Sequence, residues 1–304
     1  MTPARRASFV LVVIGFLLAG CDENAFSPKA PFEREIAVFA VMDASADVQV
    51  VRLETTYDAE STTPDKPVNR MTIDSATVFV VSRGLRYRFE DTLVSDPNGY
   101  RRVWLHRGMI LKPGAIYTLH VQVPGFPEIT GSFIMPNRPF LDFGPTIYGM
   151  GRQAIEIGTG GTSLTAPAKG YYFRLFISGE KLVDGRVVSE RREVPVSVVK
   201  QSGKEVLIYP DVSRRKSIIF PTDLIARIMA KMESDGFSNM KAMVKGYTLE
   251  VHFYNYFMVV RGFNDELTFR QDVPDMGNIT NGVGVFGGMN ADSLTVPVSQ
   301  LLNN

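Results

Sequence analysis

The residue whose type and place carry the plainest chemistry is Cys21, the one thiol in the 304-residue chain. It closes the run Leu18-Ala19-Gly20-Cys21, behind a basic start with Arg5 and Arg6 and an apolar stretch from Phe9 to Ala19. That stretch is shorter than the ~20 apolar residues a helix needs to cross a bilayer, and it has the length of a signal-peptide core. Small side chains at Ala19 and Gly20 let an extended chain enter a narrow protease site. The pattern resembles a lipobox. In that chemistry the thiol takes a diacylglycerol, the chain is cut before the cysteine, and the freed amine takes a further acyl chain of the palmitate kind. One buried acyl chain holds a protein to a bilayer only marginally, at ~0.8 kcal/mol per methylene, whereas two or three hold it stably. An ordinary signal peptide or a buried N-terminal segment makes no demand for cysteine at this position. Cys21 is therefore read as a lipidation site and membrane lipid as its partner, with residues 1–20 a signal peptide and 21–31 a lipid-anchored tether. Pro28 and Pro31 keep that tether out of helix. Asp22 and Glu23 beside the cysteine resemble a surface-export signal of some Gram-negative lipoproteins, whereas in enteric bacteria an aspartate there favours retention at the inner membrane.

Other residues form weaker chemical patterns. Gly282-Val-Gly284-Val-Phe-Gly287 matches G-x-G-x-x-G. A dinucleotide site also needs a strand before the motif, a helix starting at it and an acid roughly 20 residues on. An Asn-rich turn precedes it here and the chain is nearly at its end, so the glycines read as a tight strand or loop. His106, His120 and His252 are scattered, without metal-ligand spacing, and read as ordinary strand residues. Asp265, Glu266, Asp272 and Asp275 could serve a hydrolase only if folding faced them across a cleft, and they read as solvated loop charges. No G-x-S-x-G elbow occurs, nor an S-x-x-K segment with the other hallmarks of its class. The chain is thus read as non-enzymatic, with no catalytic residue, no metal site and no cofactor.

Two surface patterns complete the set. Arg191-Arg192 and Arg214-Arg215-Lys216 could meet anionic headgroups, and the plainer reading is a solvated face. Asp74-Ser75-Ala76, Asp91-Thr92-Leu93 and Asp292-Ser293-Leu294 resemble an O-glycosylation signal of exported Bacteroidota proteins. A pattern this short arises by chance about once in a chain of this size. Net charge is +1, from 33 basic and 32 acidic residues, so no basic excess points to nucleic acid. Apolar residues make up 45% of the chain, enough for a true core.

The elements that must carry these residues are mainly β. Between 32 and 136, strands are expected near 35–42, 48–54, 76–82, 85–90, 100–106, 116–123 and 128–134, with a polar loop over 57–70. Several alternate apolar with polar, as half-buried strands do. Seven short strands at this spacing predict an immunoglobulin/fibronectin III-like β-sandwich. Pro113-Gly114 followed by Tyr117, Leu119 and Val121 reads as a tyrosine corner, with the hydroxyl bonded back to the backbone upstream. The pattern breaks near Pro136, and 137–304 is expected to form a second β-rich domain carrying one short helix. Its strands fall near 154–157, 171–178, 193–200, 205–209, 247–261 and 293–298, with a flexible loop at 158–162. The helix covers 221–232, opened by Pro221 and stopped by Gly236.

The ending carries a family resemblance. Tyr247–Arg261 followed by Asn278-Ile-Thr-Asn281-Gly282-Val-Gly284-Val-Phe286-Gly287 resembles the C-terminus of a lipoprotein family common in Bacteroidota, domain of unknown function four-two-four-nine. The Ala76–Val80 strand and the Pro113-Gly114-x-x-Tyr117 corner agree with it. The family has no established activity to carry over. Its members are often associated with TonB-dependent outer-membrane transporters. The resemblance implies an outer-membrane lipoprotein, on the periplasmic or cell-surface face, acting as a binding or accessory subunit with an outer-membrane protein partner. A second expectation is glycan or solute binding, with Trp104, Tyr171, Tyr172, Tyr254 and Tyr256 as stacking surfaces. A hydrolase is the third and weakest.

Overall fold

Alternation of side chains sets the first sheet. In the computed structural model, which describes residues 33–56, 73–96, 99–149, 152–160, 166–261 and 277–303, β1 (Ile36–Asp43) buries Ile36, Val38, Ala40 and Met42 on one face. β2 (Val48–Thr55) buries Val51 and Leu53 in the same way. β3 (Thr77–Ser82), β6 (Ile116–Gln122) and β7 (Ile129–Ile134) bring Val78, Val80, Leu119, Val121, Ile129 and Phe133 to the same core. β4 (Leu85–Asp96) pairs with β3 through its first half and with β5 (Gly99–Arg107) through its second. That long strand joins two leaves whose inner faces share one core, a sandwich-like arrangement. All seven strands expected between 32 and 136 are present. The tyrosine corner is also present: the Lys112 backbone N–H donates to Tyr117 Oη at 2.7 Å. Gly114, at φ +72°, makes the preceding turn.

The second half extends that sheet and adds a smaller one. β8 (Phe140–Gly149), β9 (Arg152–Gly160) and β14 (Ser217–Pro221) form a three-stranded sheet. β12 (Ser197–Gln201) and β13 (Lys204–Ile208) form a two-stranded ribbon. β10 (Gly170–Val183), β11 (Arg186–Glu193), β15 (Ser238–Leu249), β16 (Ile279–Thr280) and β17 (Val283–Pro297) join the first-half strands. The combined order is β11-β10-β15-β17-β1-β2-β5-β4-β3-β6-β7-β16. Helix α1 (Thr222–Ser234) starts at Pro221 and buries Leu224, Ile225 and Met232. With Ile155, Ile157, Phe173, Leu175, Phe220 and Val244 it builds the second core. Gly236, at φ +85°, ends that turn as expected.

The mainly-β class stands, and several elements differ from the sequence reading. The segment 247–261 is a strand only to Leu249; Val251–Arg261 is helix α2, and Val298–Asn303 is a further short helix, α3. α2 reads VHFYNYFMVVR, apolar around nearly its whole circumference, so no helical stripe shows in the sequence. The expected strand 193–200 spans the break between β11 and β12. Residues 158–160 of the expected flexible loop continue β9, held by pairing with β8 and β14. β8 and β14 had no clear signal. The tether, the 57–70 loop and residues 161–162 lie outside the described residues.

β17 belongs to both halves. Its first part pairs in parallel with β1, from Ala37↔Val283 to Asp43↔Met289. Its second part pairs antiparallel with β15 as far as Lys241↔Pro297. Phe286 enters the first core, and Val296 with Leu301 just beyond enters the second.

Candidate functional site

Cys21, the one residue to which the sequence assigns a chemical role, lies outside the described residues, as do Asp22 and Glu23. So do Asp265, Glu266, Asp272 and Asp275. The sites that can be placed are the glycine motif, the histidines, the basic pairs and the aromatics.

The glycine motif is an assembly element. Gly282 lies against β1 so closely that a Cβ there would stand 2.6 Å from the Ile36 carbonyl oxygen. Gly284 adopts φ +113° and presses on the Val38 carbonyl, a conformation and an approach that glycine alone accepts cheaply. A Cβ on Gly287 would stand 2.7 Å from Phe253 Cβ of α2, and one on Gly288 would collide with the Phe133 ring. The two asparagines complete the clasp. Asn278 Nδ2 donates to the carbonyls of Ser132 (2.6 Å) and Phe286 (2.7 Å), and its Oδ1 accepts from the Phe286 N–H at 3.0 Å. Its carboxamide thus behaves as one more peptide group in the ladder between β7 and β17. Asn281, at φ +60°, donates to the Glu128 carbonyl at 2.8 Å. The reading of G-x-G-x-x-G as a tight strand rather than a phosphate cradle agrees with this geometry, since no helix begins at the motif.

Next to the motif lies a feature that the sequence reading missed. Glu250, 3% exposed, caps α2. Its Oε2 accepts from the backbone N–H of His252 (2.9 Å) and Phe253 (3.2 Å), satisfying donors a helix start leaves free. Its own N–H donates to the Gly288 carbonyl at 2.9 Å. Burial pushes its carboxyl up to about 7, against the pull of those N–H groups. His252 Nε2 lies 3.8 Å from Glu250 Oε1, and burial pushes the imidazole below its ordinary value. The available signal was a glutamate just before the helix, masked because the following residues favour strand.

The other candidates are spread through the fold. His106 Nδ1 lies 2.8 Å from the Arg88 carbonyl on β4. His120 stacks on Phe79 with ring centroids 4.7 Å apart and meets Glu128 at 3.1 Å. Both are strand residues as expected, whereas His252 is helical. Arg191 lies over the Phe176 ring, and Arg192 bonds Glu190 and Asp235. Arg214 lies over the Tyr254 ring at 5.8 Å. Of the five candidate stacking aromatics, Trp104, Tyr171 and Tyr254 are buried. Tyr172 stacks on Tyr247 and Tyr256 packs on Phe39, both half-buried. In the glycosylation-like triplets, Asp91 pairs with Arg102 and Asp292 with Arg138, while Ser75 and Ser293 are exposed. A shallow cleft lies between Asn137, Arg138, Tyr171 and Thr248, with a volume of about 10 Å³. That is room for a single water, far below the ~300 Å³ at which small-molecule sites usually begin. Among the described residues no three His, Cys, Asp or Glu side chains gather as metal ligands.

Residues 23–295 match the family described as a domain of unknown function (DUF4249). The chain belongs to this family. No curated protein matches it. The DUF4249 match takes in the first core, most of the second and most of β17, so the Asn-Gly clasp lies inside the shared region. The element that carries the family resemblance is therefore the one that ties the two halves together.

Proposed function

We propose that this DUF4249 chain is a lipid-anchored protein of the cell envelope, held to the outer membrane through acylated Cys21. It acts there as a non-catalytic binding or accessory subunit of a transporter or assembly complex. The observation that carries the reading is Cys21 itself, the sole cysteine, standing behind Leu18-Ala19-Gly20 and an apolar run of signal-peptide length. Support also comes from the fold, whose most distinctive residues hold strands to one another, as Asn278, Asn281 and Gly284 do. The expected partner is an outer-membrane β-barrel of the TonB-dependent class. Affinity capture from detergent-solubilised native membranes tests this. Recovery of such a barrel in stoichiometric amount supports the accessory reading. Recovery of the chain by itself across detergents that preserve barrel complexes would remove it.

A further inference from the structure

α2 is an apolar helix whose two sides are treated differently by the fold. One side is seated: Tyr254 lies in the space left by Gly170, Phe253 in that left by Gly287, and Tyr256 against Phe39 at 5.3 Å. The other side is open. Met258 is 44% exposed and Val251 37%, and neighbouring Phe39 and Val283 on the outer sheet face are 40% and 38% exposed. α2 is 11 residues long, about 16 Å, too short to cross a bilayer and long enough to lie in its interface. Among the described residues no helix is long and apolar enough to cross a membrane.

The direction of the helix indicates what covers its open side. Its first turn sits at Gly287 and Gly288, which pair with Val41 and Met42 near the end of β1. By Tyr256 it has reached Phe39, two residues closer to the start of that strand. α2 therefore runs against β1, and its open end heads for the place where the chain enters the fold, at Glu33–Ile36. Eleven residues, 22–32, separate Cys21 from Glu33, a reach of at most about 40 Å when fully extended. A chain anchored at Cys21 would thus keep this end of the molecule within about 40 Å of the bilayer, close enough for the open side of α2 to reach it. Arg52 and Glu54, on the strand beside Phe39, pair with each other and bring no lone charge to the patch.

We propose that the open face of α2, with Met258, Phe39 and Val283, lies in the headgroup region of the membrane that holds the anchor. This second contact fixes how the β-sandwich stands on the bilayer and leaves the far hairpin of β10 and β11 to the aqueous side. The inference rests on the anchoring of Cys21 proposed above.

The chain from Cys21 onward contains every described element. It can be coupled through its one thiol to maleimide-bearing lipid in vesicles of brominated phosphatidylcholine, so attachment does not depend on acylation in the cell. The native tryptophan, Trp104, is buried and gives a steady background. Met258→Trp and Phe39→Trp place reporters on the patch, and Leu182→Trp places one on the far hairpin, where Leu182 is 72% exposed. The added fluorescence of the two patch reporters is expected to fall about twofold on coupling, as for an indole near the acyl boundary, while that of Leu182→Trp stays unchanged. Equal quenching at all three positions, or none at the patch, overturns the membrane contact. The mass of the native N-terminus tests the acylation of Cys21 separately, so either idea can fail alone.

Discussion

At the scale of single residues, three positions test how the fold is held. Glu250 is a buried carboxyl whose titration is pushed from 4.5 up to about 7. Its protonated form is favoured by folding, so its contribution is complete below 4.5 and is lost as pH rises through 7. The change amounts to about 3 kcal/mol at most. His252, pushed the other way, loses stability as pH falls, and comparison with a Glu250→Gln chain removes its contribution from the difference. Glu250→Gln keeps an oxygen to cap α2 and abolishes the titration. In urea titrations the wild-type chain is expected to lose stability relative to Glu250→Gln between pH 4.5 and 7. A constant difference across that range would contradict the burial argument. Tyr117→Phe removes the acceptor of the Lys112 N–H, at an expected cost of about 1 kcal/mol. Gly284→Ala meets both a left-handed backbone and the Val38 carbonyl. It is expected to cost more than 3 kcal/mol, read as a lower urea midpoint or loss of soluble protein.

At the scale of elements, the clasp between β7, β16 and β17 is the feature to break. Asn278→Ala leaves the Phe286 N–H and two carbonyls without the carboxamide that pairs them, a loss of about 1–3 kcal/mol. Hydrogen exchange is expected to quicken at the Phe286 amide while the amides of β9 and α1 keep their protection. Uniform acceleration would show that the clasp is not a local device. Elements with alternating patterns were legible in the sequence: β1 to β7 fall where period two places them, and α1 shows its Pro221 start and Gly236 stop. α2 was not legible, because its residues favour strand one by one and its apolar positions cover every side. What makes it helical is tertiary: Glu250 caps it, and Gly170 and Gly287 leave room for its aromatic side chains. The candidate site divides along the same line. The role proposed for Cys21 draws on local sequence alone, which is what directs a covalent modification of that kind. Glu250 became visible only once folding had buried it.

At the scale of the whole molecule, β17 decides what folds with what. The first core needs Phe286 and the second needs Val296, and one strand carries both. A chain ending at residue 276 is therefore expected to lose the order of its first half as well, although that half is complete in sequence. Circular dichroism and proton chemical-shift dispersion check this; a well-dispersed spectrum from the truncated chain would contradict it. With the sheet continuous from β11 to β16, the molecule presents one body whose chain enters at β1, beside α2. The proposed anchor would then govern which face meets the membrane and which meets a partner, and the functional account depends on Cys21 more than on any residue in the fold. The direct measurement is the mass of the N-terminal peptide of the protein extracted from native membranes. The account predicts a chain beginning at Cys21 and carrying a thioether-linked diacylglycerol with a further acyl group on the amine. An N-terminus elsewhere, or an unmodified Cys21, would contradict it.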